Sequence, residues 1–295
     1  MDTRDWNHQY ADVNGVRLHY VRHGSGMPLI LLHGWPEFWF AWHKNIPALS
    51  DSFDIVVPDL RGFGDSEKPE GSAAEAYTLD HHVADLLGLI DALGFERVGI
   101  VSHDVGAMVA QSFAHQYPER LTGLFFFNLP YPGIGSRWAK PEHLNEIWYQ
   151  GFHQQPWAVE LLATSRAAIR VYFGNMLAHW AYDDHTFDED LDAWVDNFAA
   201  PGNLQGGFNW YTAIFPLRLA MIRGEVPAAP PIDTPTRVRW GKHEPFMLVE
   251  YADRLPEYFS NLDFEPVPDA GHFVHYERPD YANREITDFF KKLAS

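Results

Sequence analysis

The sequence contains no cysteine, and this absence excludes three kinds of chemistry at once. Without cysteine among its 295 residues, the chain has no disulfide bonds, thiolate metal sites or cysteine nucleophile. Positive charge is also scarce, because 22 Lys and Arg stand against 40 Asp and Glu for a formal net charge of −18. A surface of this sign repels phosphate backbones and anionic lipid, so we expect neither a nucleic acid nor a membrane partner. It also gives no electrostatic help in capturing an anionic substrate.

Long hydrophobic runs are missing as well. The first fifteen residues, MDTRDWNHQYADVNG, lack the apolar centre of a signal peptide, and no apolar run approaches the length of a membrane span. We therefore expect a cytoplasmic protein, either a monomer or a homodimer. Aromatic residues are plentiful, with 11 Trp, 13 Tyr and 21 Phe, and they serve either core packing or a pocket for an apolar ligand.

Strand and helix patterns alternate over the first 130 residues. Helical spacing appears in YTLDHHVADLLGLIDALG and GAMVAQSFAHQ, whereas buried or half-buried strands are predicted for GVRLHYVRHG, MPLILLHG, FDIVVPDLRG, RVGIVSHD and TGLFFFNLP. This alternation predicts a parallel sheet that is covered on both faces by helices.

The alternation stops in the middle of the chain. From about Ser136 to Glu225 only helical and loop patterns appear, and after a proline-rich link the strands return at TRVRWG and LDFEPVPDAGH. A final helix is predicted for YANREITDFFKKLA. We therefore divide the chain into a first part of an α/β core at residues 1–135, a helical insertion at 136–228 and the second part of the core at 229–295.

The segment SHDVG joins a predicted strand directly to a predicted helix. A strand that enters a helix through small-x-nucleophile-x-small holds the central residue in a strained conformation with its side chain exposed. Ser102 and Gly106 are the small flanking residues, so Asp104 lies at the apex and His103 points back into the fold. A turn centred on Ser102 would need small residues at Ile100 and Asp104. The alternative for Asp104 is a helix N-cap, a position that Asp favours.

An aspartate at this apex attacks an electrophilic carbon directly, because it is already ionised, and forms an ester. Hydrolysis of that ester needs a base for water, an acid to orient the base, and an oxyanion hole. The base is predicted to be His272, which follows the last strand, with His275 as a weaker candidate. Glu244 is the predicted acid, since the neutral side chain of Asn128, the other position for it, stabilises an imidazolium less well.

The oxyanion hole is predicted from two backbone N–H groups, those of Trp35 and Val105. Trp35 lies in the turn HGWP after a buried strand, and such a turn can direct an amide towards the carboxyl group of the nucleophile.

Together these residues resemble the α/β-hydrolase superfamily, in its aspartate-nucleophile branch of epoxide hydrolases and haloalkane or haloacetate dehalogenases. HGWPEFWFAWHKNIPAL is similar to the epoxide hydrolase pattern HGxPExWxxWxxQIPAL, and PDLRGFGDSEKP and GHFVHYERP match similarly placed segments. The resemblance covers nearly the whole chain. It implies an eight-stranded, mostly parallel sheet flanked by helices, with a helical cap inserted after the sixth strand.

The branches differ in how they assist the leaving group. Epoxide hydrolases use two cap tyrosines to polarise the C–O bond, and the resemblance assigns these roles to Tyr149 in IWYQGF and Tyr211 in GFNWYTAIF. Haloalkane dehalogenases have a Trp where this chain has Val105. Haloacetate dehalogenases have two arginines at the positions of Val105 and Met108. Epoxide hydrolysis is therefore the favoured function.

The predicted substrate is a small apolar epoxide, and no metal or organic cofactor is expected. Its predicted contacts are aromatic: Trp35, Phe38, Trp148, Trp210 and Phe273. The alternatives are a haloalkane or haloacetate dehalogenase with the same nucleophile and, in a different class, a non-catalytic small-molecule binding protein on the same fold.

Overall fold

An eight-stranded sheet forms the centre of the protein in the computed structural model, which describes residues 3–294. Residues 1 and 295, which are the outer limits of the predicted α/β core, lie outside these described residues. The strands are β1 (His8–Val13), β2 (Val16–Gly24), β3 (Met27–Leu32), β4 (Phe53–Pro58), β5 (Val98–His103), β6 (Leu121–Phe127), β7 (Thr236–Gly241) and β8 (Leu262–Val267).

The strands lie in the order β1-β2-β4-β3-β5-β6-β7-β8. The pairs β1–β2 and β2–β4 are antiparallel, and every other pair is parallel. Strands β4, β5 and β7 are buried along their whole length, as expected for a sheet that is covered on both faces. The predicted mostly parallel sheet of eight strands is thereby confirmed.

Strand β1 was not predicted from the residue pattern. HQYADV is too polar to resemble a buried strand, because β1 lies at the edge of the sheet and pairs with β2 alone. The available signal was the dipeptide Asn14-Gly15, whose positive φ values of 46° and 75° are those that a two-residue hairpin turn requires.

Helices cover both faces of the sheet. One pair, α3 (Leu79–Ala92) and α4 (Asp104–Gln116), packs together and contacts β1, β2, β5 and β6, whereas α1 (Ile46–Ser50) packs with the C-terminal α11 (Pro279–Ala294). The short helices α2 (Ala73–Ala76) and α10 (Val274–Glu277) complete the core.

The segment between β6 and β7 consists of helices and the loops that join them. Its helices are α5 (Trp148–Phe152), α6 (Ala158–Ala163), α7 (Arg166–Trp180), α8 (Leu191–Ala199) and α9 (Asn203–Arg223). Within the described residues, no helix combines the length and apolar character that crossing a membrane requires.

Candidate active site

The carboxyl ends of the parallel strands bring five distant residues to one edge of the sheet. Trp35 follows β3 after a short turn, Asp104 follows β5 directly, and Asn128 follows β6 directly. Glu244 lies just beyond β7, and His272 lies just beyond β8. Parallel strands all end at the same side of a sheet, and this is where sites form in open α/β folds. The topology therefore assembles a site from segments that are far apart in the sequence.

Asp104 occupies the strained apex of the strand-to-helix turn. Its φ is +45°, a left-handed conformation that few residues other than glycine adopt. A Cβ added at Gly106 would come within 2.7 Å of the Leu32 Cβ and the His33 carbonyl oxygen, so this flanking position cannot carry a side chain. Ser102 is wholly buried inside β5, and the turn therefore presents the aspartate rather than the serine.

The carboxylate of Asp104 accepts a backbone hydrogen bond across the site. The Trp35 N–H donates to its Oδ1 over 3.0 Å, while Val105 follows at the start of α4 and lines the same cavity. A Cβ at Gly34 would lie 2.6 Å from the Asp104 Cβ, so only glycine allows this close approach. The N-cap position of α4 is His103, which leaves the Asp104 carboxylate directed at the Trp35 amide.

His272 and Glu244 form a buried pair. The Nδ1 of His272 lies 2.5 Å from Oε2 of Glu244, both side chains are wholly buried, and the His272 Nε2 has no hydrogen-bond partner among the described residues. Burial acts to raise the pKa of Glu244, but the adjacent His272 lowers that pKa below its ordinary value. An ionised Glu244 is therefore placed to orient His272 and to stabilise an imidazolium.

Asn128 is hydrogen-bonded to Glu244. Its Nδ2 donates to Glu244 Oε2 over 2.6 Å, and its Oδ1 accepts from the Gly241 N–H at 2.8 Å. Both alternative positions for the acid therefore belong to one hydrogen-bonded unit, in which Glu244 alone contacts the histidine.

A narrow cavity opens over the Asp104 carboxylate. Two helices of the insertion contribute Tyr149 and Tyr211, whose rings lie 5.7 Å apart at 88°. Burial raises the pKa of both phenols, and the charge of Asp104 raises it further, so both remain hydrogen-bond donors at neutral pH. The other lining residues are Val105, Met108, Pro130, Trp138, Gln150, Gln154, Trp210, Ile214, Phe215, Arg218, Met221 and Phe246.

Of the five predicted aromatic contacts, Trp210 lines this cavity and the others do not. Trp148 is 55% exposed and packs against Phe152, because successive residues of a helix point about 100° apart and Tyr149, not Trp148, faces the cavity.

The remaining three predicted contacts are buried supports. The Trp35 indole packs edge-on against the ring of Tyr211 at 5.5 Å, and Phe273 packs against His272 at 4.8 Å. Phe38 lies further away, where its ring contacts Trp39 and Trp194.

A buried network behind the site was missed from the sequence. Glu37 Oε2 accepts from the Gly34 N–H at 2.6 Å and lies 2.9 Å from His103 Nδ1. The His103 Nε2 lies 2.9 Å from the His272 carbonyl oxygen, and His275 Nε2 lies 3.2 Å from Glu37 Oε1. Both ring nitrogens of His103 face acceptors, so both carry protons and the ring is a cation. The glutamate of HGWPE and the histidine before Asp104 were the available signals.

This network predicts a pH-dependent loss of stability in Glu37→Gln. Burial acts to raise the pKa of Glu37, but His103 and His275 hold that pKa well below 4.5. Burial acts to lower the pKa of His103, but Glu37 raises it above 6.5. The stabilisation from the ionised Glu37 is therefore fully present above pH 4.5 and is lost as the pH falls through its lowered folded pKa. The stabilisation from the protonated His103 is fully present below pH 6.5 and is lost as the pH rises through its raised folded pKa.

Urea unfolding of both proteins across this range measures the effect. Between pH 4.5 and 6.5 we expect Glu37→Gln to lower the free energy of unfolding by about 3 kcal/mol, and by less once the pH passes the raised pKa of His103. Glu119→Gln, at an exposed position, is the matched control. An equal loss at every pH would show that the two groups are not an ion pair.

Two groups of side chains offer three possible metal-ligand atoms each, all within 4.8 Å: Glu37 with His103 and His275, and His8 with His19 and Asp65. In the first group both ring nitrogens of His103 are hydrogen-bonded within the protein, as described above. In the second, His8 Nδ1 lies 2.8 Å from His19 Nε2. Both groups are thus already engaged in protein hydrogen bonds.

The chain is similar to known proteins over nearly its whole length. The family model described as alpha/beta hydrolase fold matches residues 27–279. A soluble epoxide hydrolase of Corynebacterium sp. strain C12 is 33% identical, with 99% of this chain and 100% of that protein aligned. Human epoxide hydrolase 4 is 31% identical over 95% of this chain and 77% of its own length. The crystal structure of Bacillus megaterium epoxide hydrolase with an inhibitor superposes with a TM-score of 0.84, at 27% identity over 96% of this chain and 100% of that one.

Proposed function

The chain belongs to the epoxide hydrolases of the α/β-hydrolase fold, and from this membership we propose that it converts an epoxide to a vicinal diol through a covalent ester on Asp104. One observation carries the proposal. The Asp104 carboxylate, held by the Trp35 N–H, lines the same cavity as the phenols of Tyr149 and Tyr211. A nucleophile and two donors for an epoxide oxygen thus meet in one enclosed space.

In the first step, an oxygen of the Asp104 carboxylate attacks one carbon of the ring, and the bond from that carbon to the ring oxygen breaks. Tyr149 and Tyr211 donate hydrogen bonds to the departing oxygen, and one of them transfers its proton to it. The products of this step are a hydroxyalkyl ester and one phenolate. The ester carbonyl then lies against the Trp35 and Val105 amides.

In the second step, His272 removes a proton from water at its Nε2, while Glu244 stabilises the resulting imidazolium. The hydroxide attacks the ester carbonyl carbon, and the two backbone amides stabilise the oxyanion. When this intermediate collapses, the alkoxide leaves with the oxygen that Asp104 supplied. One proton of the water ends on the new hydroxyl, and the other restores the phenol, so the enzyme returns to its starting state.

A panel of substrates tests the function itself. Styrene-type and aliphatic epoxides, haloalkanes and fluoroacetate should be assayed with diol and halide both measured. We expect diol from the epoxides and no halide release. Halide release without diol formation would identify a dehalogenase, and binding without either product would identify a non-catalytic binding protein.

The two tyrosines are expected to act together on the ring oxygen. We expect Tyr149→Phe and Tyr211→Phe to lower kcat for ring opening by about 10- to 100-fold each, and the double variant by about a thousandfold. Stopped-flow fluorescence of the cavity tryptophans under single-turnover conditions measures this step.

The exposed Tyr182 provides the matched control, because Tyr182→Phe removes the same hydroxyl outside the cavity and should leave the rate unchanged. Full activity in the double variant would mean that another group assists the leaving oxygen.

A further inference from the structure

One side chain of the cavity lining carries a positive charge that the proposed reaction of Asp104, Tyr149 and Tyr211 does not use. Arg218 is the only Lys or Arg among the described residues that line the cavity. It lies on α9, on which Tyr211, Ile214, Phe215 and Arg218 all line the cavity. The spacing of three, four and seven residues places all of them on one face of a helix.

The guanidinium of Arg218 lacks an acidic partner among the residues that the structure describes. Its Cζ lies 3.7 Å above the ring of Trp138, which fixes its position. Its Nη2 is buried and has no hydrogen-bond partner, and no carboxylate lies within 4.0 Å of it among the residues that the structure describes. Nearby arginines of the same region are paired, such as Arg137 with Asp253 and Arg223 with Glu225.

An unpaired buried cation is costly unless a ligand supplies the missing acceptor. Burial lowers the pKa of Arg218, and the neighbouring Tyr149, Tyr211 and Asp104 act against that change. A guanidinium nevertheless stays protonated in proteins, so the group is charged. A planar guanidinium pairs best with a carboxylate, through charge-assisted hydrogen bonds.

Resting on the proposed function, we propose that Arg218 selects epoxides that carry a carboxylate. Tyr211 and Arg218 are seven residues apart, which corresponds to about 10 Å along the axis of α9. The carboxylate therefore lies several carbon atoms away from the ring. The side chains between these two ends, Ile214 and Phe215, are apolar and match an alkyl spacer.

This substrate differs from the purely apolar epoxide that the aromatic content predicts. The net charge of −18 repels an anion at long range, but salt at physiological strength screens that repulsion beyond about 8 Å. Contact with one buried guanidinium acts at short range and determines which bound epoxide is held in place.

The test compares terminal epoxides of alkanoic acids of increasing length with their primary amides, which have nearly the same shape without the charge. For the best length, we expect wild-type kcat/KM to favour the acid by about tenfold or more. Arg218→Gln should bring this ratio close to one, and Arg218→Lys should restore part of it. Arg223→Gln, on the same helix and outside the cavity, should keep the wild-type ratio.

Three outcomes separate this inference from the proposed function. Loss of turnover on acid and amide by the same factor in Arg218→Gln would mean that Arg218 only balances the charge of Asp104, and the inference would be overturned. Equal wild-type turnover of acids and amides at every length would also overturn it while leaving epoxide hydrolysis intact. If no epoxide of either kind is turned over, the proposed function itself fails.

Discussion

Asp104→Asn is expected to lower kcat/KM for epoxides by about ten-thousandfold or more. The amide oxygen and nitrogen of asparagine are far weaker nucleophiles than a carboxylate, so no ester forms at a useful rate. Asparagine also tolerates the left-handed φ of +45° at this position, and it can still accept the hydrogen bond of the Trp35 N–H. The loss therefore reports on chemistry rather than on a rebuilt turn.

Two controls make this result decisive. The thermal unfolding temperature of Asp104→Asn should stay close to that of the wild type, because the replaced group is half-buried and keeps its shape. Asp51→Asn, at an exposed position, should retain full activity. If purified Asp104→Asn keeps more than about one hundredth of the wild-type rate, a different residue or a water molecule opens the ring.

His272→Gln is expected to separate the two chemical steps. Ring opening by Asp104 does not need a base, so one equivalent of epoxide should still be consumed per active site in a rapid first phase. Hydrolysis of the ester should then be slower by about a thousandfold or more, since no group removes the proton from water. Rapid quench with excess epoxide measures both phases, and the accumulated ester should increase the protein mass by that of one epoxide.

His115→Gln is the matched control, because His115 lies on the exposed side of α4. It should show wild-type turnover and no stable adduct. A His272→Gln protein that consumes no epoxide in the first phase would place the histidine in ring opening, and the proposed order of steps would be wrong.

The strand-to-helix turn with Asp104 at its apex is a local feature that the sequence predicts. The turn at Asp104 depends on size limits at Ser102 and Gly106 that act within five residues, and such limits are visible in the chain itself. Glu244 and His272 could be placed because each follows a strand, and parallel strands all end at the same edge of the sheet.

The hydrogen bond from Asn128 to Glu244 could not be predicted, because it depends on which strands are neighbours. Only the adjacency of β6 and β7 brings its amide to Glu244, so that Asn128 donates a hydrogen bond to Glu244 and Glu244 in turn contacts His272. The Glu37–His103–His275 network was missed for the same reason, since its members contact one another across three separate segments.

Sequence neighbours of a predicted site residue are poor guides to which side chains line the cavity. Trp148 precedes Tyr149, but successive residues of a helix point about 100° apart, and Trp148 faces outward. Arg218 was not predicted as a site residue because it lies two helical turns beyond Tyr211. The only signal for it is the seven-residue spacing, which places both side chains on the same face of the helix. At the hairpin, Asn14-Gly15 signals a turn, but the polar sequence of β1 before it does not resemble a strand.

In the proposed mechanism, the oxygen that is added to the epoxide carbon comes from Asp104 and not directly from water. A single turnover with enzyme in excess over epoxide in ¹⁸O-labelled water tests this, with mass spectrometry of both the diol and the peptide that contains Asp104. We expect an unlabelled diol and one ¹⁸O atom in the Asp104 carboxylate, because water attacks the ester carbonyl carbon. A diol that carries ¹⁸O after this first turnover, with an unlabelled Asp104 peptide, would contradict it.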